Sequence, residues 1–297
     1  MGRLGVLADL LDALPSLAGE LERSGQSWAA VEIDDPGPHP VDVMIIGGHR
    51  FGADRLDRCP DLRLLVRAGI GLDLIDLDHA TGRGVRVVNT PGYGTEEVAD
   101  HTLLLLLATV RRLPYFVGQA AADWRGTDCS GVRRLRGSTL GVIGLGAIGG
   151  AVADRAEAFG MRIVYTDPYV ESPSPQRIRV ELPELLATSD VITLHAPLTA
   201  ETRRLLDPAA FARLGRRPVI INTARGGLID SAALLAALAD GTITGAGLDV
   251  TDGEPEPPRA LLDHPAVIVT PHVAWYSDAS RHDMARLAVA AATAKES

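Results

Sequence analysis

The chain has 297 residues, enough for two ordinary domains each with its own core, and 46% of them are hydrophobic against 23% charged. A formal net charge of -9 argues against a general polyanion binder, because nucleic acid attracts proteins mainly through basic side chains that neutralise phosphates. Lys295 is the single lysine, so the cations that hold any anionic ligand are arginines, and no lysine within the fold is left for a Schiff base or a phosphate loop.

Short apolar runs at Leu4–Ala8, Val41–Ile46, Leu62–Val66 and Val85–Val88 read as strands, with helix-like stretches such as Leu10–Arg23 between them. That alternation predicts parallel strands joined by crossover helices, so the first ninety or so residues form one α/β domain. A long helix is predicted from Glu96 to about Arg112, with an almost wholly apolar middle that must be buried against more than one neighbour. The strand pattern restarts at Leu140–Ile143, Arg162–Tyr165, Val191–Leu194, Val219–Asn222, Gly245–Val250 and Val267–Thr270, six strands that fit one doubly wound sheet. Pro173 and Pro175 mark a loop, Glu254–Pro258 marks another, and a last helix is predicted over Ser280–Ala294.

Asp9 and Asp12 interrupt what would be the apolar core of a signal peptide, and the run Leu103–Leu107 is far too short to span a bilayer. Cys59 and Cys129 stand alone, without metal-ligand spacing or the density of a disulfide scaffold. The expectation is a cytoplasmic protein without a metal, a membrane segment or a direct nucleic-acid partner.

The sharpest local pattern is Gly144-Leu145-Gly146-Ala147-Ile148-Gly149, preceded by a strand at Thr139–Ile143 and followed by a helix to about Phe159. Glycines serve where the chain turns tightly, where backbone approaches a pyrophosphate and where helix packs on strand, and the helix N-terminus offers N–H groups to phosphate. The next strand leads to Asp167, eighteen residues beyond Gly149, near the spacing expected for an acid that accepts from ribose hydroxyls. A carboxylate there repels a 2′-phosphate, and Pro168 and Tyr169 supply no arginine to bind one, so NAD is favoured over NADP.

Three polar residues fall just past predicted strands: Arg225 in Asn222–Gly227, Glu254, and His272 in Thr270–Val273. In open α/β sheets ligands bind beyond the carboxyl ends of the strands. Reduction of a 2-oxo acid needs a hydride, a proton for the developing alkoxide and a cation for the carboxylate. His272 is suited to donate the proton, Glu254 to orient the imidazole, and Arg225 to clamp a carboxylate and its neighbouring carbonyl. Taken singly, each has a plainer reading as a loop or surface residue.

With these residues in place the chain resembles the D-isomer-specific 2-hydroxyacid dehydrogenases. The resemblance is carried by Arg67–Asp73, Asn89–Gly92, Glu97–His101, Leu140–Gly149, Asn222–Gly227 and Thr270–His272. It implies two Rossmann-like, doubly wound parallel-sheet domains with the active site in the cleft between them: residues 1–92 plus 281–297 for substrate, and 93–280 for NAD. It also implies that Arg225, Glu254 and His272 are the catalytic set. The glycine loop, Asp167, Pro168, His195, Ala196, Pro197, Thr202, Thr223, Ala224, Asp249 and His272 would line the cofactor, and the protein would be a homodimer. Within the family the look is nearest to the C-terminal binding proteins, through Arg67–Gly71 and His272–Ser277. By that match Arg67, Gly69, Ile70 and Gly71 contact substrate, and Trp275 is either a wall of the substrate pocket or a core residue. The expected activity is NAD-dependent interconversion of a 2-oxo acid and a D-2-hydroxy acid, the alternative being a dimeric NAD(H)-sensing, corepressor-like protein with vestigial turnover.

Overall fold

The computed structural model describes residues 3–171 and 174–294, so Pro173 and Lys295 lie outside the described residues. The chain begins β1 (Leu4–Leu7), α1 (Ala8–Ala13), α2 (Ser16–Arg23), β2 (Trp28–Val31), β3 (Val43–Ile46), α3 (Ala53–Asp57), β4 (Leu64–Arg67), α4 (Leu77–Gly82) and β5 (Arg86–Asn89). It continues through α5 (Thr95–Val110), α6 (Leu113–Ala122), β6 (Thr139–Ile143), α7 (Ala147–Ala158), β7 (Arg162–Thr166), β8 (Arg177–Arg179), α8 (Leu182–Thr188) and β9 (Val191–Leu194). Then follow α9 (Pro208–Phe211), β10 (Val219–Asn222), a 3-10 turn at Gly226–Leu228, α10 (Ser231–Ala239), β11 (Gly245–Leu248), α11 (Arg259–Leu262), β12 (Val267–Val269) and α12 (Asp278–Thr293). No helix among the described residues is long and apolar enough to cross a membrane.

The chain divides into two compact units, one formed by Met1–Gly94 with Tyr276–Ser297 and the other by Thr95–Trp275. In the smaller unit five parallel strands run in the order β2-β1-β3-β4-β5, the flavodoxin-like order, and α12 packs against α2 and against β3 and β4. In the larger unit seven parallel strands run β12-β11-β10-β9-β6-β7-β8. The chain leaves β6 toward β7 and β8, then crosses back to β9 and outward, so the order reverses between β6 and β9. The carboxyl ends of the strands beside that reversal are where a doubly wound sheet binds its ligand.

Both faces of the larger sheet are covered, and its central strands are accordingly apolar along most of their length. On one face Leu185, Leu186, Phe211, Leu228, Leu234 and Leu238 are buried with Ile192, Leu194 and Ile220. On the other, Leu103, Leu105 and Leu106 of α5 are buried with Val152 and Ala153 of α7 and with Leu140, Val142 and Tyr165 of the strands. The glycines of β11 admit α5 closely: a Cβ at Gly247 would lie 2.9 Å from Leu105 Cβ, and one at Gly245 would lie 2.9 Å from Thr109 Cγ2.

The departures from the predicted elements have local causes. The single helix expected over Leu10–Arg23 is two, because Pro15 disfavours helical geometry at Leu14, whose backbone sits at φ -124°, ψ 78°. β2 and β8, both short edge strands, lack the run of buried apolar residues that marks the central strands: β2 is Trp28-Ala29-Ala30-Val31 with its two alanines exposed, and β8 is Arg177-Ile178-Arg179. Arg177 is nevertheless buried, held to Glu157 at 2.9 Å and to Asp154, and these two carboxylates raise its pKa. The long leucine helix ends at Val110, and α6 follows with Arg112 as its N-cap in the left-handed region at φ 52°.

Leu106 is fully buried between α5 and the sheet. Leu106→Ala is expected to destabilise the larger unit by about 2–5 kcal/mol through lost burial and the cavity left behind, measurable as a lower denaturant midpoint.

Candidate active site

At the end of β6 the backbone turns at Gly144 with φ 91°, and a Cβ there would lie 2.8 Å from Ala196 N and 2.9 Å from His195 C. The first glycine thus lets the β6 turn lie against the loop after β9, the two strands that flank the reversal. Gly149 is required for packing, since its Cβ would come within 2.0 Å of Gly144 O. Gly146, the N-cap of α7, faces no atom within 4 Å of its would-be Cβ. That open surface lies at the end of a twelve-residue helix whose first N–H groups have no intrahelical acceptor, which fits the pyrophosphate of a dinucleotide.

Asp167, just past β7, accepts from Leu145 N at 2.8 Å through one oxygen and from Tyr169 N at 2.8 Å and Val170 N at 3.0 Å through the other. The carboxylate is thereby locked against the glycine loop, with acceptor capacity left for one further donor. Pro168 follows it, and Tyr169 is 93% exposed. In the loop after β9, His195 meets Thr193 Oγ1 at 2.9 Å, and burial pushes its pKa down to about 3, so the imidazole stays neutral. Pro197 and Thr202 close that loop, Thr202 Oγ1 donating to Pro197 O at 2.6 Å and accepting from Thr199 N at 2.8 Å.

The loops after β10, β11 and β12 carry the other three candidates. Arg225 stands in extended backbone before the 3-10 turn, with Nη1 donating to Ala224 O at 2.7 Å. Asn222 at the end of β10 braces the loop, its amide donating to Arg225 O at 2.9 Å and accepting from Ala224 N at 3.0 Å. Gly226 then presses on the neighbouring loop so closely that a Cβ would lie 2.0 Å from the Thr251 carbonyl carbon. Thr251 N donates to Glu254 Oε1 at 2.8 Å, and Glu254 Oε2 lies 2.8 Å from His272 Nδ1.

This arrangement sets the charge on Glu254. Half-burial raises its pKa, but the hydrogen bonds from His272 and Thr251 and the charges of His272 and Arg225 together bring it below the ordinary glutamate value. The carboxylate therefore remains ionised above and within the usual glutamate range, and its interactions are lost only as pH falls through the lowered value. The imidazole Nδ1 is occupied by Glu254, which leaves Nε2 for other chemistry.

His272 occupies a left-handed conformation at φ 54°. Its N–H donates to Asp249 O at 2.8 Å, while the Asp249 carboxylate accepts from Thr270 Oγ1 at 2.5 Å, Val273 N at 3.0 Å and Ala274 N at 2.8 Å. Asp249 is 1% exposed, so it is the buried anchor of the loop that presents His272. Thr223 is also buried, its hydroxyl 2.8 Å from Thr102 Oγ1 of α5.

In the smaller unit Arg67 ends β4 and folds back so that Nη1 donates to Ala68 O. Gly69 sits at φ 142°, and a Cβ there would strike Arg67 Nη1 at 2.3 Å, so the guanidinium is laid over a glycine backbone. Gly69 N donates to Thr90 Oγ1 at 2.8 Å and Asn89 Nδ2 donates to Ile70 O at 2.7 Å, which holds the Arg67–Gly71 loop from β5. Trp275 is partly exposed and lies outside the buried core.

Within the larger unit the structure therefore brings together Arg225, Glu254 and His272, and separately the glycine loop, Asp167 and the His195–Thr202 loop. Sequence reasoning gave no role to Asn222, Thr251, Thr270, Thr102 or His101. Asn222, Thr270 and His101 fall inside the motifs quoted for the resemblance, and that was their only signal. Thr251 and Thr102 act through one backbone N–H and one hydroxyl, which no spacing reveals.

Known proteins are similar to this chain, and they give it a class: nicotinamide-dependent oxidoreductases. The family model described as D-isomer specific 2-hydroxyacid dehydrogenase, NAD binding domain, matches residues 103–274, and the chain belongs to that family. It is 42% identical over 246 residues to glycerate dehydrogenase of Methylorubrum extorquens, covering 80% of this chain and 77% of that protein. It is 39% identical over 240 residues to D-3-phosphoglycerate dehydrogenase of Bacillus subtilis, covering 79% of this chain but only 46%, about half, of that longer protein. Among solved structures, the NADPH-dependent glyoxylate/hydroxypyruvate reductase of Sinorhizobium meliloti, in complex with NADP and malonate, superimposes with a TM-score of 0.86 at 34% identity over 97% of this chain and 91% of that one. The D-lactate dehydrogenase of Aquifex aeolicus with NAD and lactic acid gives a TM-score of 0.85 at 28% identity, over 97% and 93%.

The contact at Gly226 makes the loop pair testable. Gly226→Ala is expected to lower turnover by about 10–100-fold, because a displacement of about 1 Å in a reacting group is costly, while NADH affinity measured by fluorescence stays within about threefold.

Proposed function

We propose that this protein is an NAD-dependent dehydrogenase that interconverts a small 2-oxo acid and its D-2-hydroxy acid. The observation that carries the reading is the 2.8 Å contact between His272 Nδ1 and Glu254, on a loop clamped by a buried aspartate. Bound nicotinamide dinucleotide supplies or accepts the hydride. His272, with Nδ1 engaged by Glu254, holds a proton at Nε2 for the substrate oxygen in reduction and takes it back in oxidation. Glu254 keeps the ring in one orientation and offsets the charge of the imidazolium. Arg225 offers donors to the substrate carboxylate and polarises the adjacent carbonyl.

In the smaller unit, the Arg67–Gly71 loop is the candidate for further substrate contacts, which rests on its preformed guanidinium geometry and on the family resemblance. Trp275, outside the core, is assigned to substrate side-chain recognition. The glycerate, glyoxylate and lactate enzymes among the relatives support a short-chain acid as substrate. Asp167, locked beside the glycine loop, supports NAD over NADP because a 2′-phosphate would meet its charge.

Purified protein is expected to oxidise NADH at 340 nm with one or more of a panel of 2-oxo acids, from glyoxylate and pyruvate through hydroxypyruvate, branched and aromatic members. His272→Ala is expected to lower kcat by about 10²–10⁴-fold, the usual worth of a positioned general acid. NADH binding without turnover on any acid would instead make this a dinucleotide-binding protein with another role. Asp167→Ala is expected to erode the preference for NADH over NADPH by about tenfold or more, close to 1.4 kcal/mol, and an unaltered ratio would place cofactor selection elsewhere.

A further inference from the structure

Asp249 is the most buried of the site's carboxylates, and its two oxygens accept from one hydroxyl and two backbone N–H groups, all belonging to Thr270–Ala274. A charge buried to this degree persists only where its donors are all in place. Two of the three are amides fixed by the chain. The third, the Thr270 hydroxyl, rotates, so its orientation must be set by something else.

That something is His101 on α5. Its Nε2 lies 3.0 Å from Thr270 Oγ1 and 3.6 Å from Asp249 Oδ1. Thr270 has a single hydroxyl proton, and the 2.5 Å contact with the carboxylate uses it. The threonine oxygen can only accept from His101, so the imidazole carries its proton on Nε2. A one-way chain results, from His101 N–H to Thr270 O–H to Asp249, and Asp249 in turn holds the Thr270 side chain before the left-handed kink at His272 and two backbone amides after it.

We propose that His101 is a positioning residue for the proton donor His272: it orients the Thr270 hydroxyl and so completes the Asp249 clamp on residues 270–274. The inference rests on the reading of His272 as the acid/base group. α5 is a rigid place from which to do this, since it is buried against the glycines of β11, the strand that leads into Asp249. The next residue, Thr102, accepts from the Thr223 hydroxyl at the base of the Arg225 loop, because its own proton goes to Val98 O at 2.6 Å. Successive residues of one helix thus brace the loops of the proton donor and of the substrate clamp.

The test is a mutant cycle on the purified enzyme, with kcat, KM for the best 2-oxo acid, NADH affinity and Tm as readouts. His101→Ala is expected to lower kcat by about 10–100-fold with NADH affinity held within about threefold, since loss of orientation acts on the reacting group. His101→Gln, which keeps a donor near the Nε2 position, is expected to restore most of that loss. In a Thr270→Val background, His101→Ala is expected to add less than about twofold, because its effect passes through the hydroxyl that is already gone. Losses that multiply independently, a wild-type kcat in His101→Ala, or a fall in NADH affinity alongside kcat that Gln does not restore would each overturn the proposal. If His101→Ala fails to fold, His101→Gln against His101→Met, similar in length and differing in the donor, gives the same decision: Gln active and Met depressed supports it, and equal activities overturn it. His272→Ala belongs in the series. Should it keep turnover, the acid/base reading and this inference fall together; should it abolish turnover while His101→Ala does not, only the inference falls.

Discussion

Parallel pairing is the constraint on which the rest depends. All seven strands of the larger sheet run the same way, so every connection must cross over, and every strand delivers its carboxyl end to the same edge. Residues far apart in the chain are therefore neighbours at that edge without any special device: the glycine turn after β6, Asp167 after β7, the His195 loop after β9, and Arg225, Glu254 and His272 after β10, β11 and β12. The requirement that both faces be covered makes the central strands largely apolar, and the charged residues of the site fall in the loops beyond them.

Strand ends alone leave loops underdetermined, and the site is finished by backbone groups. Asp167 and Asp249 illustrate one solution at two places. Each is a buried or nearly buried carboxylate just past a strand, and each accepts from two consecutive backbone amides plus one further donor, the amides lying directly after Asp167 but in the loop after β12 for Asp249. One fixes the glycine loop and the other fixes the presentation of His272. Charged side chains here act first on the protein's own backbone, and the ligand meets a surface that is already shaped.

The sequence carried most of this. The succession of most strands along the chain, the glycine loop and the candidate trio of polar residues could be read because they follow from periodicity and from where polar residues interrupt apolar runs. What could not be read has physical reasons. β2 and β8 lie at sheet edges, where burial on both faces is not imposed, so β2 carries two exposed alanines and β8 two arginines in place of a buried apolar run. The division of the first helix hung on one proline. The roles of Thr251, Asn222 and His101 depend on contacts between loops or between a helix and a loop, and a linear pattern does not record which residues meet in space. Trp275 could be placed outside the core only once its surroundings were known.

The meeting of Gly226 with Thr251 has a consequence for motion. No side chain lies between the two backbones at that point, so there is no soft layer to absorb relative displacement of the Arg225 and Glu254 loops. Thermal fluctuation must carry both together, and with them the imidazole that Glu254 holds. Arg225, Glu254 and His272 are thereby coupled through backbone, so a displacement of one loop is passed directly to the other.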